Sequence, residues 1–332
     1  RNLNYVIDYN QYPLTDTKNP EKIDSTKVSN LKHRPMGIGV QGLADTYNML
    51  EYAFDSKDAI ELNKLIFETL YYACIDESVN LAIKYGPYET FPDSPFSRGC
   101  LQFHLWGKKT SDLSGRYDWD DLVSRVMKYG TRNSMLTSLM PTAGTSQIMN
   151  CSECFEPYMS NIFIRTTMAG EFIVINQSLV KKLIELNLWN EDMMKLLIIN
   201  NGSVKNISGI PEHIRAVYKT AGELGNKIVI QQAADRGIFI DQTQSMNLTM
   251  DGSPAVNKLL SAFIGGWKLG LKTGMYYLRS MPAIDPIKFG VDVDEIKRLT
   301  DNYSDVVITP SVSPIEFTGE ETPKTCKFDR SK

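Results

Sequence analysis

The sequence is poor in the residues that build metal centres and disulfide frameworks, with five cysteines and three histidines in 332 residues. Cys74, Cys100, Cys151, Cys154 and Cys326 are too few and too scattered for a disulfide framework, so a reducing cytoplasmic setting is expected. His33, His104 and His213 share no local spacing with one another or with a cysteine pair, and no metal site is expected. Charge of one sign is lacking too. Thirty-six basic residues face 39 acidic ones, a net charge of −3, which leaves no broad basic field for nucleic acid or an anionic membrane. No apolar run approaches the roughly 18 residues of a membrane helix. The opening "RNLNYVIDYNQYP" carries no apolar signal-peptide core. The chain starts at an arginine, as a processed product, a split-gene product or a trimmed chain would.

What is present is ordinary globular composition, 42% hydrophobic and 23% charged, at a length that buries one large core or two smaller ones. Residues 1–35 read as polar and turn-rich apart from "YVIDY". Over 58–85, Leu62, Leu65, Ile66, Thr69 and Ala73 recur at helical spacing, with Asp55 or Ser56 as cap and Gly86 as stop. Residues 86–118 read as a loop-rich connection. Strands are expected at 134–140, 171–176 ("EFIVIN"), 237–240 ("GIFI") and in "MYYLRS". Helices are expected at 178–188, from Pro211 to Ala234, and over 255–272 ending near Gly274. Alternation at this spacing predicts parallel βα units. Composition shifts towards Thr, Ser, Pro, Glu and Lys from about Val291, which predicts a flexible tail.

Three stretches could carry chemistry. "GIGVQG" (Gly37, Gly39, Gly42) has the G-x-G-x-x-G spacing, but "NLKHRPM" before it is basic and broken by proline. The dinucleotide fingerprint needs a strand there, so the glycines read as close-packing positions at the start of a helix. "CSEC" (Cys151, Cys154) lacks the second pair that structural zinc requires. A redox pair is conceivable, and two small, partly buried residues with no joint role is the plainer reading. "PTAGTSQ" follows a strand pattern with small and hydroxyl residues. Such a loop exposes backbone N–H groups to a phosphate, with the hydroxyls of Thr142, Thr145 and Ser146 as further donors; an uneventful turn has the same composition. It has no lysine of the kind that drives phosphoryl transfer.

Taken together and in order, "HRPMGIGVQGLADTY", "IFETLYYACIDESVNLA", "GTRNSMLTSLMPTAGTSQIMN", "ECFEPYMSNIF", "ADRGIFIDQTQSMN" and "GWKLGLKTGMYYLRSMPA" resemble the large, catalytic subunit of class I ribonucleoside-diphosphate reductase. The resemblance runs from about Arg1 to Pro286 and covers the C-terminal half of that subunit. It implies an α/β fold, the second half of a ten-stranded α/β barrel over residues 1–290, with a flexible tail over 291–332. It implies that Thr142, Ala143, Gly144, Thr145 and Ser146 hold the substrate diphosphate, and that Tyr276 and Tyr277 are the stacked dyad that relays a radical. Gly144 stands where the family usually has serine, removing one hydroxyl donor. The thiyl-radical cysteine, its asparagine and glutamate, the reducing cysteine pair and the allosteric sites belong to the other half, so the chain alone is expected to be inactive. Cys326 stands alone where the family's tail commonly carries a cysteine pair, which puts that redox shuttle in doubt.

The partners implied are a ribonucleoside diphosphate, a metal-containing small subunit that generates the radical, the N-terminal half of the large subunit, and thioredoxin or glutaredoxin as reductant. The complete enzyme is implied to be a homodimer. No cofactor bound by this chain is expected, nor nucleic acid, nor membrane. The alternative is a non-catalytic barrel-half module that binds the small subunit or a nucleotide.

Overall fold

The computed structural model describes residues 1–12, 25–168, 170–251 and 256–281. The expected tail at 291–332, and Cys326 with it, lies outside the described residues.

Four extended segments lie side by side, parallel and in chain order. Residues 36–40 meet 135–139 through a bridge between Ile38 and Thr137, with Ile38 donating to the Leu136 carbonyl at 2.8 Å. Residues 135–139 meet 242–246 through a bridge between Leu139 and Gln244, reinforced by Ser245 donating to Leu139 at 2.8 Å. The third segment runs into β3 (Asn247–Asp251), which pairs in parallel with β4 (Tyr277–Met281), Asn247 opposite Tyr277. Parallel neighbours need crossovers. The first is supplied by α3 (Leu43–Met49), α4 (Lys57–Tyr85), α5 (Gln102–Leu105) and α6 (Trp119–Tyr129). The second holds α7 (Thr145–Met149), the hairpin of β1 (Ile162–Thr167) and β2 (Gly170–Ile175), and helices α8 (Gln177–Glu185), α9 (Glu191–Ile199), α10 (Glu212–Val217), α11 (Ala221–Leu224) and α12 (Asn226–Gly237). The last is α13 (Val256–Lys268). The expected parallel βα organisation is therefore present as an open half-barrel, four parallel segments among the described residues.

The central helix α4 shows why it forms and how it is placed. Ser56 caps it, its hydroxyl accepting from the Ala59 N–H, and Gly86 ends it at φ 83°. Its buried stripe is Phe67, Tyr71, Ile75 and Val79, one residue every four, packed on α6 and α12. That stripe differs from the one read off the sequence: Ala73 is exposed, and Leu62, Leu65 and Ile66 flank the buried face. Partly buried apolar residues such as Leu62, Leu65, Ile66 and Tyr72 flank the stripe, so the sequence pattern alone does not single out its phase. A second core, built from Ile162, Leu179, Leu183, Leu196, Leu197, Ile207 and Ile214, closes around the hairpin and α8–α10.

Several other expectations are corrected. "GIFI" is the turn that ends α12, with Phe239 donating to Arg236 and Ile240 to Gly237. Both side chains are buried, and short apolar runs do not distinguish a buried turn from a strand. "EFIVIN" pairs antiparallel with β1 rather than joining the parallel set. The segment at 134–140 makes isolated bridges rather than a full ladder. The run from Pro211 breaks into α10, α11 and α12 at Thr220 and Gly225, and Pro211 sits at the cap rather than the first helical position. Helix α13 stops at Lys268, before Gly270 at φ 84°, rather than near Gly274. Residues 1–35 contain α1 (Asn2–Tyr9) and α2 (Ser25–His33). Helices α6 and α9 and strands β1 and β3 had no counterpart in the sequence reading.

Candidate functional site

Met140 and Pro141 end the second parallel segment, and the backbone then turns through Thr142 at φ 55°. A β-branched residue in the left-handed region is strained, a cost of order 1–3 kcal/mol that clusters at functional loops. Two contacts hold it there. The Thr142 hydroxyl accepts from the Cys154 N–H at 2.8 Å, and the Thr142 carbonyl accepts from Ser146 at 2.9 Å. Among the described residues, the N–H groups of Ala143, Gly144 and Thr145 have no acceptor. All three residues are exposed, so three donors from consecutive residues stand open to solvent at the end of a parallel segment, where α/β folds bind ligands. The Thr145 hydroxyl donates to Gln41 Oε1 at 2.8 Å, which brings the loop after the first segment against this one. Gly144 has an ordinary φ of −83°, and a Cβ built there would meet nothing within 4 Å. Ser146 differs from expectation: it is 1% exposed, and its N–H is spent on Thr142, so it stands under the loop rather than on it.

The "GIGVQG" glycines pack rather than bind. They lie on and after the first parallel segment instead of in a turn after a buried strand. A Cβ at Gly39 would sit 2.5 Å from the Ser138 carbonyl oxygen. Gly42, at φ 78°, starts α3 against Cys151. Both thiols of "CSEC" are held neutral. Burial pushes Cys154 up to about 12, and burial then the Asp45 charge raise Cys151. Asp45 accepts from the Ser152 N–H and the Tyr158 hydroxyl, each at 2.6 Å, which fixes the segment after the loop. Among the described residues no group of histidine, cysteine and carboxylate side chains could hold a metal ion.

Tyr276, just before β4, and Tyr277, its first residue, have their rings in contact, centroids 4.8 Å apart and planes at 85°. They meet edge to face rather than stacked; Tyr276 immediately precedes the strand, and its N–H donates to the Met246 carbonyl at 2.6 Å. Each ring is more than half exposed. The parallel register sets their level. Tyr277 lies opposite Asn247, three residues past Gln244, and Gln244 lies opposite Leu139, three residues before Thr142. The dyad thus stands level with the start of the loop, two strand spacings away, or about 10 Å.

Sequence reasoning missed four residues here: Gln41, Glu153, Glu156 and Arg279. Arg279 Nη2 lies 3.0 Å from Glu153 Oε2 and 3.5 Å from Glu156 Oε2, which joins β4 to the segment just after the loop. No local pattern announces contacts between residues more than a hundred positions apart.

Comparison with known proteins places the chain in a family. The family described as "Ribonucleotide reductase, barrel domain" matches residues 1–277. The chain is 50% identical over 299 residues to a ribonucleoside-diphosphate reductase large subunit of Acanthamoeba polyphaga mimivirus, covering 90% of this chain and 33% of that protein. It is 48% identical over 324 residues to the large subunit of Plasmodium falciparum, covering 97% of this chain and 39% of the other. Among solved structures, the class Id ribonucleotide reductase alpha subunit of Actinobacillus ureae superimposes with a TM-score of 0.63 at 27% identity, over 84% of this chain and 44% of that one. The chain spans about a third of the length of these curated relatives. Among the described residues no helix is long and apolar enough to cross a membrane.

Proposed function

The chain belongs to the barrel-domain family of ribonucleotide reductases, and from that premise we propose that it is the C-terminal part of a catalytic subunit that reduces ribonucleoside diphosphates to deoxyribonucleoside diphosphates. The observation that carries this reading is the row of three unpaired N–H groups on Ala143, Gly144 and Thr145, beside the Thr145 hydroxyl. A diphosphate offers several anionic oxygens to such a row, and the small side chains let them reach the backbone. Without a lysine in the loop, the site holds phosphate and does not transfer it.

Tyr276 and Tyr277 carry the radical between the small subunit and the thiyl cysteine. A phenol can lose a proton and an electron together, and rings in contact shorten the hop. The thiyl cysteine that abstracts the 3′-hydrogen, and the dithiol whose electrons replace the 2′-hydroxyl by hydrogen, come from the part of the subunit outside this chain. A metal-containing small subunit supplies the radical, and thioredoxin or glutaredoxin restores the dithiol. The complete large subunit works as a homodimer. This chain binds, orients and relays.

The test is deoxynucleotide formation from CDP with the small subunit and a dithiol, with and without the N-terminal portion. Product is expected only when that portion is supplied, and Tyr277→Phe should abolish it while leaving CDP affinity unchanged. Turnover by this chain alone would overturn the need for the complement. Failure to form product in either arm, with the small subunit still bound, would leave a binding module in place of an enzyme.

A further inference from the structure

We propose that Arg279 is a positioning residue that ties the tyrosine dyad to the phosphate-holding loop, so that filling the loop with a nucleoside diphosphate tightens the strand carrying Tyr277. The proposal rests on the reading of loop and dyad given above. Its physical basis is a continuous run of direct contacts. The Thr142 hydroxyl, at the strained corner of the loop, accepts from the Cys154 N–H at 2.8 Å. Cys154 is flanked by Glu153 and, two residues on, Glu156. Arg279 bonds Glu153 at 3.0 Å and reaches Glu156 at 3.5 Å.

Glu156 is itself anchored, 7% exposed, with its other oxygen accepting from the Asn247 N–H at 3.2 Å. Asn247 is the residue opposite Tyr277. The carboxylate therefore touches β3 directly and β4 through the guanidinium. Burial raises the Glu156 pKa, and the Arg279 charge opposes that rise, so the arginine helps keep the carboxylate ionised. Arg279 and Tyr277 are two positions apart on one strand and project to the same face.

Strand β4 needs such a tie. Among the described residues it pairs with β3 alone, and both tyrosines stand more than half exposed. Both carboxylates face one guanidinium nitrogen, Nη2, and the guanidinium stays charged throughout the working pH range, so a single cation holds the two acids together. The loop is the element that changes state, since its three open N–H groups gain acceptors only when an anion arrives.

The experiment uses the complete large subunit containing this chain and follows amide hydrogen exchange at residues 277–281, with and without CDP. In the wild type, CDP should slow exchange there by roughly fivefold or more, the size of an ordinary coupling between sites. In Arg279→Met the slowing should disappear and, by linkage, calorimetry should find CDP still bound but weaker by up to about the same fivefold, and Arg279→Lys should restore part of both. A pin with no link to the loop would leave exchange insensitive to CDP in every variant. CDP binding without slowing in the wild type, or slowing that persists in Arg279→Met, overturns the coupling and leaves the function untouched. No CDP binding by the wild type removes the loop reading and this proposal with it. Should Arg279→Met fail to fold, Glu153→Gln removes the nearer partner and must show the same loss.

Discussion

Replacing Gly144 by serine tests the loop with a gain rather than a loss. The backbone there lies at φ −83°, ψ −48°, which any L residue adopts, and a Cβ has no neighbour within 4 Å. No strain should follow. Replacing glycine at a compatible position stiffens the unfolded chain and should add about 0.4–1 kcal/mol of stability. The added hydroxyl lies among the open N–H groups of Ala143, Gly144 and Thr145, where a phosphate oxygen would sit. One neutral hydrogen bond contributes about 0.5–1.5 kcal/mol, so CDP should bind about two- to twelvefold more tightly. Gly144→Ala separates the two effects, since it should stabilise the fold to a similar degree and leave CDP affinity alone. Calorimetric titration of CDP into the large subunit carrying each variant, paired with denaturant unfolding, reads both quantities. Equal affinity in wild type, Ala and Ser variants would place the phosphate elsewhere and refute the cradle.

Three further outcomes follow from particular contacts. Thr142→Val keeps the shape of the side chain and removes the acceptor for the Cys154 N–H, so unfolding should become easier by about 1–3 kcal/mol, read from the denaturant midpoint; an unchanged midpoint would show that this bond does not hold the loop. Cys154, at 1% exposure and pushed up to about 12, should resist iodoacetamide in the native state at pH 8. Partly buried Cys151 should react at least roughly tenfold faster, read by peptide mass spectrometry, and equal rates would show that the segment opens. Asp8 is held below the ordinary carboxylate range by its hydrogen bond to the buried Arg34, at 2.6 Å. A depressed carboxylate stabilises the fold above its unfolded value, about 3.9, and that contribution is lost as pH falls through the lower folded value. Asp8→Asn should therefore be less stable at neutral pH and lack the loss in that acid window, and identical acid unfolding curves would remove the pair from the account.

Legibility differed by the range of the forces involved. The ends of α4 could be read because a cap and a stop are local: Ser56 bonds a residue three positions on, and Gly86 adopts a φ that glycine favours. The glycines of "GIGVQG" were legible as packing positions for the same reason, since a missing Cβ states its purpose. The hairpin of β1 and β2 was half-read. Phe172 and Ile173 are exposed on the ribbon, so apolar residues there mark no buried parallel strand. Helix α6 went unread although Asp118 caps it, because the Gly- and Ser-rich stretch before it masked its start.

The sequence by itself determined the family, the alternation that gives parallel βα units, and the candidate loop and dyad, all through short motifs whose chemistry is carried by adjacent residues. Only the tertiary structure decided that Ser146 lies beneath the loop and Gln41 beside it, that the tyrosines meet edge to face, and that Arg279 spans Glu153 and Glu156. Those facts depend on which segments become neighbours in the parallel set. Crossovers of about a hundred residues separate the first from the second segment and the second from the third, and no local periodicity encodes a contact made across that distance.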